Sequence, residues 1–467
     1  MPCLLGDCAP RNLEKIVESK PNNFLKVKKQ TVDRFNRRQF LATATLALAA
    51  PAFLPSSVFG QAGKPAPSNR ITMGIIGCGW QGGSNMEAFL RESDCQVVAV
   101  CDVDKTHLAN GVQKVNGHYK NQDCKAYADF RELCARPDID SVMVATPDHW
   151  HCLVAVEAAK NKKDIFGEKP LARTIAEQQA MVKAVQQGKR IWQTGSWQRS
   201  ERNFHKAAEI VRNGLIGKIT RVEVGLPSGH NDFANTKDKT EITAPPAELD
   251  YNTWIGPSKM MPYRECQLHK NWRWNYNTGG GQLLDWVGHH VDIAHWGLGF
   301  DDNGPSEIEG VGEFPPADAI WNTCTKYRLK LKYPDNIEMI ISGGHPDIKG
   351  GTKWIGTDGW VHVSRGVFSA SNEAWSEMAL LPDDQRKVKL LQSPGHMRNF
   401  LDCVKSRKPT ITPVETAHHS ALPGHLGLIA MLTGRKIKWD AQREVIIGDA
   451  EASKLMSREY RKPWSLG

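Results

Sequence analysis

Two short stretches hold the side chains best suited to chemistry. One is Glu168-Lys169-Pro170. The other runs from Gly279 to Asp292 and contains Asp285, His289, His290 and Asp292. A lysine ammonium at a strand end can hold a hydroxyl oxygen and stabilise it as negative charge builds there, and Pro170 fixes the backbone behind it. Asp285, His289 and Asp292 follow at i, i+4 and i+7, a spacing that predicts one shared helical face. An imidazole beside a carboxylate is oriented and basic enough to take a proton near neutral pH. Lys169, Asp285 and His289 would then suit alcohol oxidation, in which a base takes the hydroxyl proton while hydride leaves the carbon. His290 points off that face. The triple glycine Gly279–Gly281 would let backbone approach a ligand closely. The blander alternatives are a solvated loop lysine and an interior helix with a satisfied His–Asp pair. Asp285, His289 and His295 could also hold a metal, but no compact ligand set with a supporting shell stands out and none is expected.

Hydride needs an acceptor, and a third motif offers a place for one. Ile71–Ile76 reads as a buried strand, Gly77-Cys78-Gly79-Trp80-Gln81-Gly82 follows, a helix comes next, and Gln96–Cys101 is a second strand ending at Asp102. Strand, GxGxxG, helix, strand and acid make the dinucleotide-binding fingerprint. Gly77 allows the turn, Gly79 lets backbone near the pyrophosphate, and Gly82 lets helix pack on strand. The helix N-terminus offers N–H groups to phosphate. Asp102 stands where a carboxylate accepts the ribose hydroxyls, and it would repel a 2′-phosphate, so NAD is favoured over NADP.

Alternating strands and helices continue to about Gly195, with Thr146-Pro147-Asp148 and Glu168-Lys169-Pro170 at strand ends. Such repetition predicts a parallel sheet with ligands at its carboxyl edge. Beyond it, Lys218–Leu226, Tyr327–Tyr333, Ile337–Ser342 and a hairpin over 353–363 predict a broad antiparallel sheet. Two helices follow, near 396–407 and 414–434. The polar stretch 229–270 reads as an excursion over the site or an oligomer contact. The fold class is therefore α/β: an N-terminal Rossmann domain with a doubly wound parallel sheet, plus a C-terminal α+β domain with a large, mostly antiparallel sheet. The expected divisions are a leader at 1–60, the dinucleotide domain at 70–195, a substrate and oligomerisation domain at 196–440, and a tail at 441–467 packing on the body.

Composition agrees with two domains in 467 residues. Hydrophobic residues at 40% and charged residues at 24% exclude disorder and a polytopic membrane protein. Residues 1–60 hold nine Lys/Arg against four Asp/Glu, so more than half of the net +9 lies in the leader. The remainder is too weakly basic to predict nucleic-acid binding. Asn36-Arg37-Arg38-Gln39-Phe40-Leu41, the apolar run Leu41–Leu54 and small residues after it form a twin-arginine export signal. A periplasmic or otherwise exported protein follows, membrane-anchored if the run is uncleaved, with the twin-arginine machinery as a partner. A later start codon also stays open. Of eleven cysteines, the nine after residue 60 are expected to be buried thiols.

These motifs together resemble the glucose–fructose oxidoreductase/inositol dehydrogenase family, Gfo/Idh/MocA, over nearly all of 70–440. The carriers are Gly77–Gly82, Thr146-Pro147-Asp148-His149-Trp150-His151, Glu168-Lys169-Pro170 and Gly279–Asp292. The family's usual Asn is Asp148 here, and the glycine before its His has moved one place, to Gly288. The resemblance implies that Lys169, Asp285 and His289 are catalytic, and that His151 and the Glu168–Pro170 turn line the nicotinamide site. It also implies homodimers or tetramers through the second sheet. The expected cofactor contacts are Gly77, Gly79, Trp80, Gln81, Gly82, Asp102, Thr146, Pro147, His151, Glu168, Lys169, Pro170 and Gln198. Family, export and fifteen Trp favour a sugar, cyclitol or glycoside, since flat rings suit the C–H faces of sugars. Trp272, Trp274, Trp286 and Trp296 lie near the site in sequence, although Trp is also an ordinary core residue. His269 and Arg273 could bond hydroxyls, completing a substrate set of His269, Trp272, Arg273, Asp285 and His289. The expected activity is an NAD(P)-dependent oxidoreductase. The alternatives are a redox-neutral hydrolase or lyase working through a keto-sugar, and a binding protein without catalysis.

Overall fold

The computed structural model describes residues 69–378 and 381–466, together with Ala66. The expected export signal lies outside the described residues. Among them, no helix is long and apolar enough to cross a membrane.

The first sheet contains β1 (Ile71–Ile76), β2 (Cys95–Cys101), β3 (Lys125–Tyr127), β4 (Ser141–Val144), β5 (Asp164–Gly167) and β6 (Trp192–Thr194). Its order is β3-β2-β1-β4-β5-β6, and every neighbouring pair is parallel. β4 and β5 are buried along their whole length, as strands covered on both faces must be. The crossovers are α1 (Trp80–Leu90), α2 (Lys105–Tyr119), α3 (Phe130–Ala135), α4 (Asp148–Lys160) and α5 (Ile175–Gly188). Asp104 caps α2 by accepting from the Thr106 and His107 amides at 2.8 and 3.1 Å. Thr174 caps α5 from the Glu177 amide at 3.3 Å. Strand order reverses between β1 and β4, which opens a crevice at the carboxyl edge.

After β6 come α6 (Arg202–Arg212), β7 (Ile219–Leu226) and the short α7 (Tyr251–Ile255). The second sheet adds β8 (Glu307–Glu313), β9 (Lys326–Lys332), β10 (Glu338–Gly343), β11 (Gly351–Gly356), β12 (Trp360–Ser364), β13 (Val367–Ala370), β14 (Ile437–Asp440) and β15 (Val445–Ile446). Its order is β13-β12-β11-β7-β10-β9-β8-β14-β15. β7 and β10 run parallel, while the other pairs are antiparallel. β9 buries Tyr327, Leu329 and Leu331 and turns Arg328 and Lys330 between them outward, the period-2 pattern of a one-sided sheet.

Helical cover comes from α8 (Gly281–Trp286), a π turn at Val287–Val291, α9 (Asp292–Leu298), α10 (His396–Ser406) and α11 (Val414–Thr433). α11 serves both layers. Val414 and Ala417 join the core of the first sheet, and Leu422, Leu426 and Ile429 join that of the second. The stretch 229–270 is stitched to the end of β2: the Lys105 amide donates to Glu248 O at 2.9 Å and the Asp250 amide to Val103 O at 3.1 Å. The nine cysteines between Cys78 and Cys403 are buried and unpaired.

Just past β6, Arg199 is sunk between two acids. Its guanidinium donates to Asp292 at 2.8 Å and to Asp301 at 2.7 and 3.0 Å. The side chains of Arg199 and Asp292 are 2% and 1% exposed. Removing the arginine strands a buried carboxylate, at a cost of about 3–5 kcal/mol. Arg199→Leu is expected to lower the unfolding midpoint by several degrees, and Arg199→Leu with Asp292→Leu to recover most of it. Calorimetry checks this, and an unchanged midpoint in the single variant would refute the role given to Arg199.

Candidate active site

The glycine turn after β1 is imposed by packing. A Cβ on Gly82 would lie 1.9 Å from Gly77 O, and Gly77 holds φ +90°. No side chain caps α1, so the start of that helix faces the crevice with backbone alone. Asp102 Oδ2 accepts from the Cys78 amide at 2.8 Å and Oδ1 from the Asp104 amide at 3.0 Å. Burial pushes the Asp102 carboxyl up, and these two amides oppose that rise. Each oxygen keeps room for another donor, which is the requirement for two ribose hydroxyls.

From Asp102 a cleft of about 420 Å³ runs along the sheet edge past Gly79, Trp80, Gln81, Thr146, Glu168 and Lys169 to Arg273. Gln81 donates to Asn85 Oδ1 at 2.9 Å, and Asn85 donates to Glu168 Oε1 at 2.7 Å. This chain fixes the Glu168–Pro170 turn against α1. His151 sits between two turns, with Nδ1 2.7 Å from Pro170 O and Nε2 2.8 Å from Thr146 O. Burial lowers its proton affinity. The imidazole therefore braces the cleft wall.

At the far end Lys169 reaches across to the second layer. Its Nζ donates to Asp285 Oδ1 at 3.1 Å, and Arg273 Nε donates to the same oxygen at 3.3 Å. Burial alone would raise the Asp285 carboxyl, but Lys169 and Arg273 hold it below the usual carboxylate range. His289 lies next to this cluster. A Cβ on Gly288 would come within 2.9 Å of Lys169 Cβ. His289 Nδ1 is buried without a hydrogen-bond partner. Burial, then the positive Lys169 and Arg365, hold the ring well below its ordinary proton affinity. Lys169 thus lines the cleft, Asp285 pairs with it from behind, and the uncharged His289 ring lies within reach of the lysine's charge.

Residues 71–196 match the model of the oxidoreductase family's NAD-binding Rossmann fold, and residues 201–466 match that of its C-terminal alpha/beta domain. The chain belongs to the Gfo/Idh/MocA oxidoreductase family. A myo-inositol 2-dehydrogenase from Thermotoga maritima is 34% identical over 148 residues, which are 32% of this chain and 42% of that one. A glycosyl hydrolase family 109 protein from Solibacter usitatus is 35% identical over 156 residues, 31% of this chain and 35% of that one. The chain thus spans about half or less of these curated relatives. The WlbA dehydrogenase of Chromobacterium violaceum, solved with NADH and UDP-GlcNAcA, superposes with a TM-score of 0.61 at 16% identity, covering 81% of this chain and 98% of that one. That likeness is one of fold.

Within the Gfo/Idh/MocA frame several sequence expectations need correcting. Asp285, His289 and Asp292 do not share a face. The π turn at Val287–Val291 adds a residue to the helical turn, and Asp292 goes to Arg199 instead. Among the described residues no carboxylate partners His289: the charged groups acting on it are Lys169 and Arg365, so it is a weaker base than the i, i+4 spacing suggested. The triple glycine meets protein rather than an open ligand path, since Cβ atoms there would strike Arg273 backbone, Leu284 and Thr323 within 2.6 Å. His269 stands at the Asp102 end, 3.7 Å from Asp104 and tilted at 52° against His107 with ring centroids 4.7 Å apart, so it is remote from the expected substrate group. Gln198 is buried with both amide atoms unpartnered and does not line the cleft. His295 is committed to the Tyr333 hydroxyl at 2.7 Å, which removes it from any metal set with Asp285. Of the four tryptophans, Trp272 lines the cleft beneath Arg273 at 4.3 Å, Trp274 and Trp296 are core, and Trp286 carries Arg365 at 4.8 Å.

Arg365 and Asp148 went unassigned in the sequence reading. Asp148 lines the cleft, nearly buried, with Oδ1 unpartnered. Burial and repulsion from Asp285, eased by Arg273, Arg173 and Lys169, push its carboxyl up to about 7. A carboxyl whose folded pKa exceeds its unfolded value stabilises the fold at low pH, and that contribution fades as pH rises toward 7. Asp148→Asn is therefore expected to raise the unfolding midpoint at pH 8 more than at pH 4. Equal shifts at both pH values, measured by thermal unfolding, would contradict this.

Proposed function

We propose that the chain is an exported, NAD-dependent oxidoreductase acting on a hydroxyl of a sugar, cyclitol or glycoside. The observation that carries this is Lys169, which lines the cleft that begins at Asp102 and is held by Asp285 at 3.1 Å, with His289 within reach of its charge. NAD is preferred to NADP because the Asp102 carboxylate, fixed in the cleft by the Cys78 and Asp104 amides, would repel a 2′-phosphate. A bound nicotinamide would supply a hydride acceptor or donor.

The chain's own residues do the rest. The substrate hydroxyl enters beside Lys169, whose ammonium bonds the oxygen and stabilises the charge that grows as the proton leaves. The neutral His289 ring accepts that proton. Asp285 stays ionised between Lys169 and Arg273 and fixes the direction of the lysine. Glu168, Asn85 and Gln81 keep the turn in place. Lys169→Ala is expected to lower turnover by about 10²–10³ while cofactor binding remains, and unchanged turnover would remove Lys169 from the mechanism.

A second reading rests on the glycosyl hydrolase family 109 relative. Oxidising a ring hydroxyl acidifies the neighbouring C–H, so a glycosidic group can be eliminated before hydride returns. The same three residues serve both reactions. The deciding experiment follows near-ultraviolet absorbance of the purified chain with a panel of sugars and glycosides. Growth of the reduced-nicotinamide band supports net oxidation. Release of aglycone without that band supports the redox-neutral route. The export reading rests on Asn36–Leu41 and Leu41–Leu54, and replacing Arg37 and Arg38 with Lys is expected to leave the chain in the cytoplasm.

A further inference from the structure

We propose that the C-terminal segment Arg458–Leu466 is a strap whose Trp464 forms the outer wall of the adenine end of the cofactor cleft. The inference rests on the NAD reading above and extends it to residues that reading does not use.

Beyond Asp102 the cleft is lined by Ala128–Arg131, by Trp150 and Val154 of α4, and by Trp464. A base extending from a ribose at Asp102 would meet this group. Its aromatic rings are arranged edge to face. Phe130 and Trp150 lie 5.6 Å apart at 70°, and Trp150 and Trp464 lie 4.7 Å apart at 82°. The Arg131 guanidinium sits 5.3 Å over the Trp464 ring. Flat apolar walls with a cation at the rim suit a purine, because every base presents a π-face to aromatic side chains.

The strap is built to hold that ring in place. Arg458 donates to Glu177 Oε1, Ser258 Oγ and His149 O, each at 2.8 Å. The Tyr460 hydroxyl donates to Glu177 Oε1 at 2.6 Å. Arg461 donates to Gly256 O at 2.9 Å and to Asn252 Oδ1 and O at 2.8 and 2.7 Å. Two arginines tie this segment to α4, α5, α7 and the stretch after α7. The residue so delivered to the cleft is Trp464, still half-buried rather than sealed into the core.

The test is calorimetric titration of the full chain with ADP-ribose, NAD and nicotinamide mononucleotide. Trp464→Leu keeps apolar bulk but removes the flat ring, and Trp464→Phe keeps a ring. The Leu variant is expected to bind ADP-ribose and NAD about tenfold more weakly or worse, with nicotinamide mononucleotide unaffected. The Phe variant is expected to stay near the parent, which separates loss of stacking from loss of folding. A Leu variant that binds ADP-ribose within twofold of the parent overturns the strap alone. A parent chain that binds neither ADP-ribose nor NAD overturns the cofactor reading and the strap with it.

Discussion

The contact between Lys169 and Asp285 sets the terms for the whole molecule. It joins the end of β5 in one layer to α8 in the other, and both side chains are 13% exposed. A nearly buried ion pair gives little net stability, because desolvating two charges offsets most of their attraction. Its value lies in position. The two sheets must stand at one separation for a 3.1 Å contact to form, and Arg273 adds a second cation to the same oxygen. One carboxylate thus faces two cations, with Arg365 beyond. The surplus of positive charge keeps the His289 ring uncharged and favours an oxygen that gains negative charge.

The rest of the scaffold holds that separation. α11 contributes apolar residues to both cores, so neither layer is complete without it. Arg199 clamps the first residues after β6 to α9 through Asp292 and Asp301. The backbone bonds between 103–105 and 248–250 fasten the second domain's excursion over the ribose end. These ties are hydrogen-bonded and apolar in turn, and they act at three places around the cleft.

The dinucleotide half was readable because its signals are local. Gly77, Gly82, the buried strands and Asp102 lie within one βαβ unit, where each residue's duty is set by near neighbours. The mostly antiparallel second sheet was readable from the alternation in Tyr327–Tyr333. The surroundings of His289 were not, because residue spacing assumes an unbroken α-helix and the π turn rotates Asp292 away. The glycine run was misread for a related reason: close approach is visible in sequence, but what approaches is not. Two of the four tryptophans near the motif in sequence, Trp274 and Trp296, proved core, since proximity along the chain says nothing about which wall a ring joins. Trp464 carried no signal, for its cleft neighbours come from the opposite end of the chain. Asp148 was visible as an acid after Thr-Pro, yet its elevated proton affinity comes from burial and from Asp285, both of which only folding supplies.

The nine buried, unpaired thiols have a consequence for the covalent state of the fold. With no covalent cross-link among the described residues, glutathione has no bond there to reduce. Burial also raises the thiols at Cys78, Cys95 and Cys101, which suppresses the thiolate that air or peroxide would attack. The packing around these nine thiols thereby keeps them in a single covalent form.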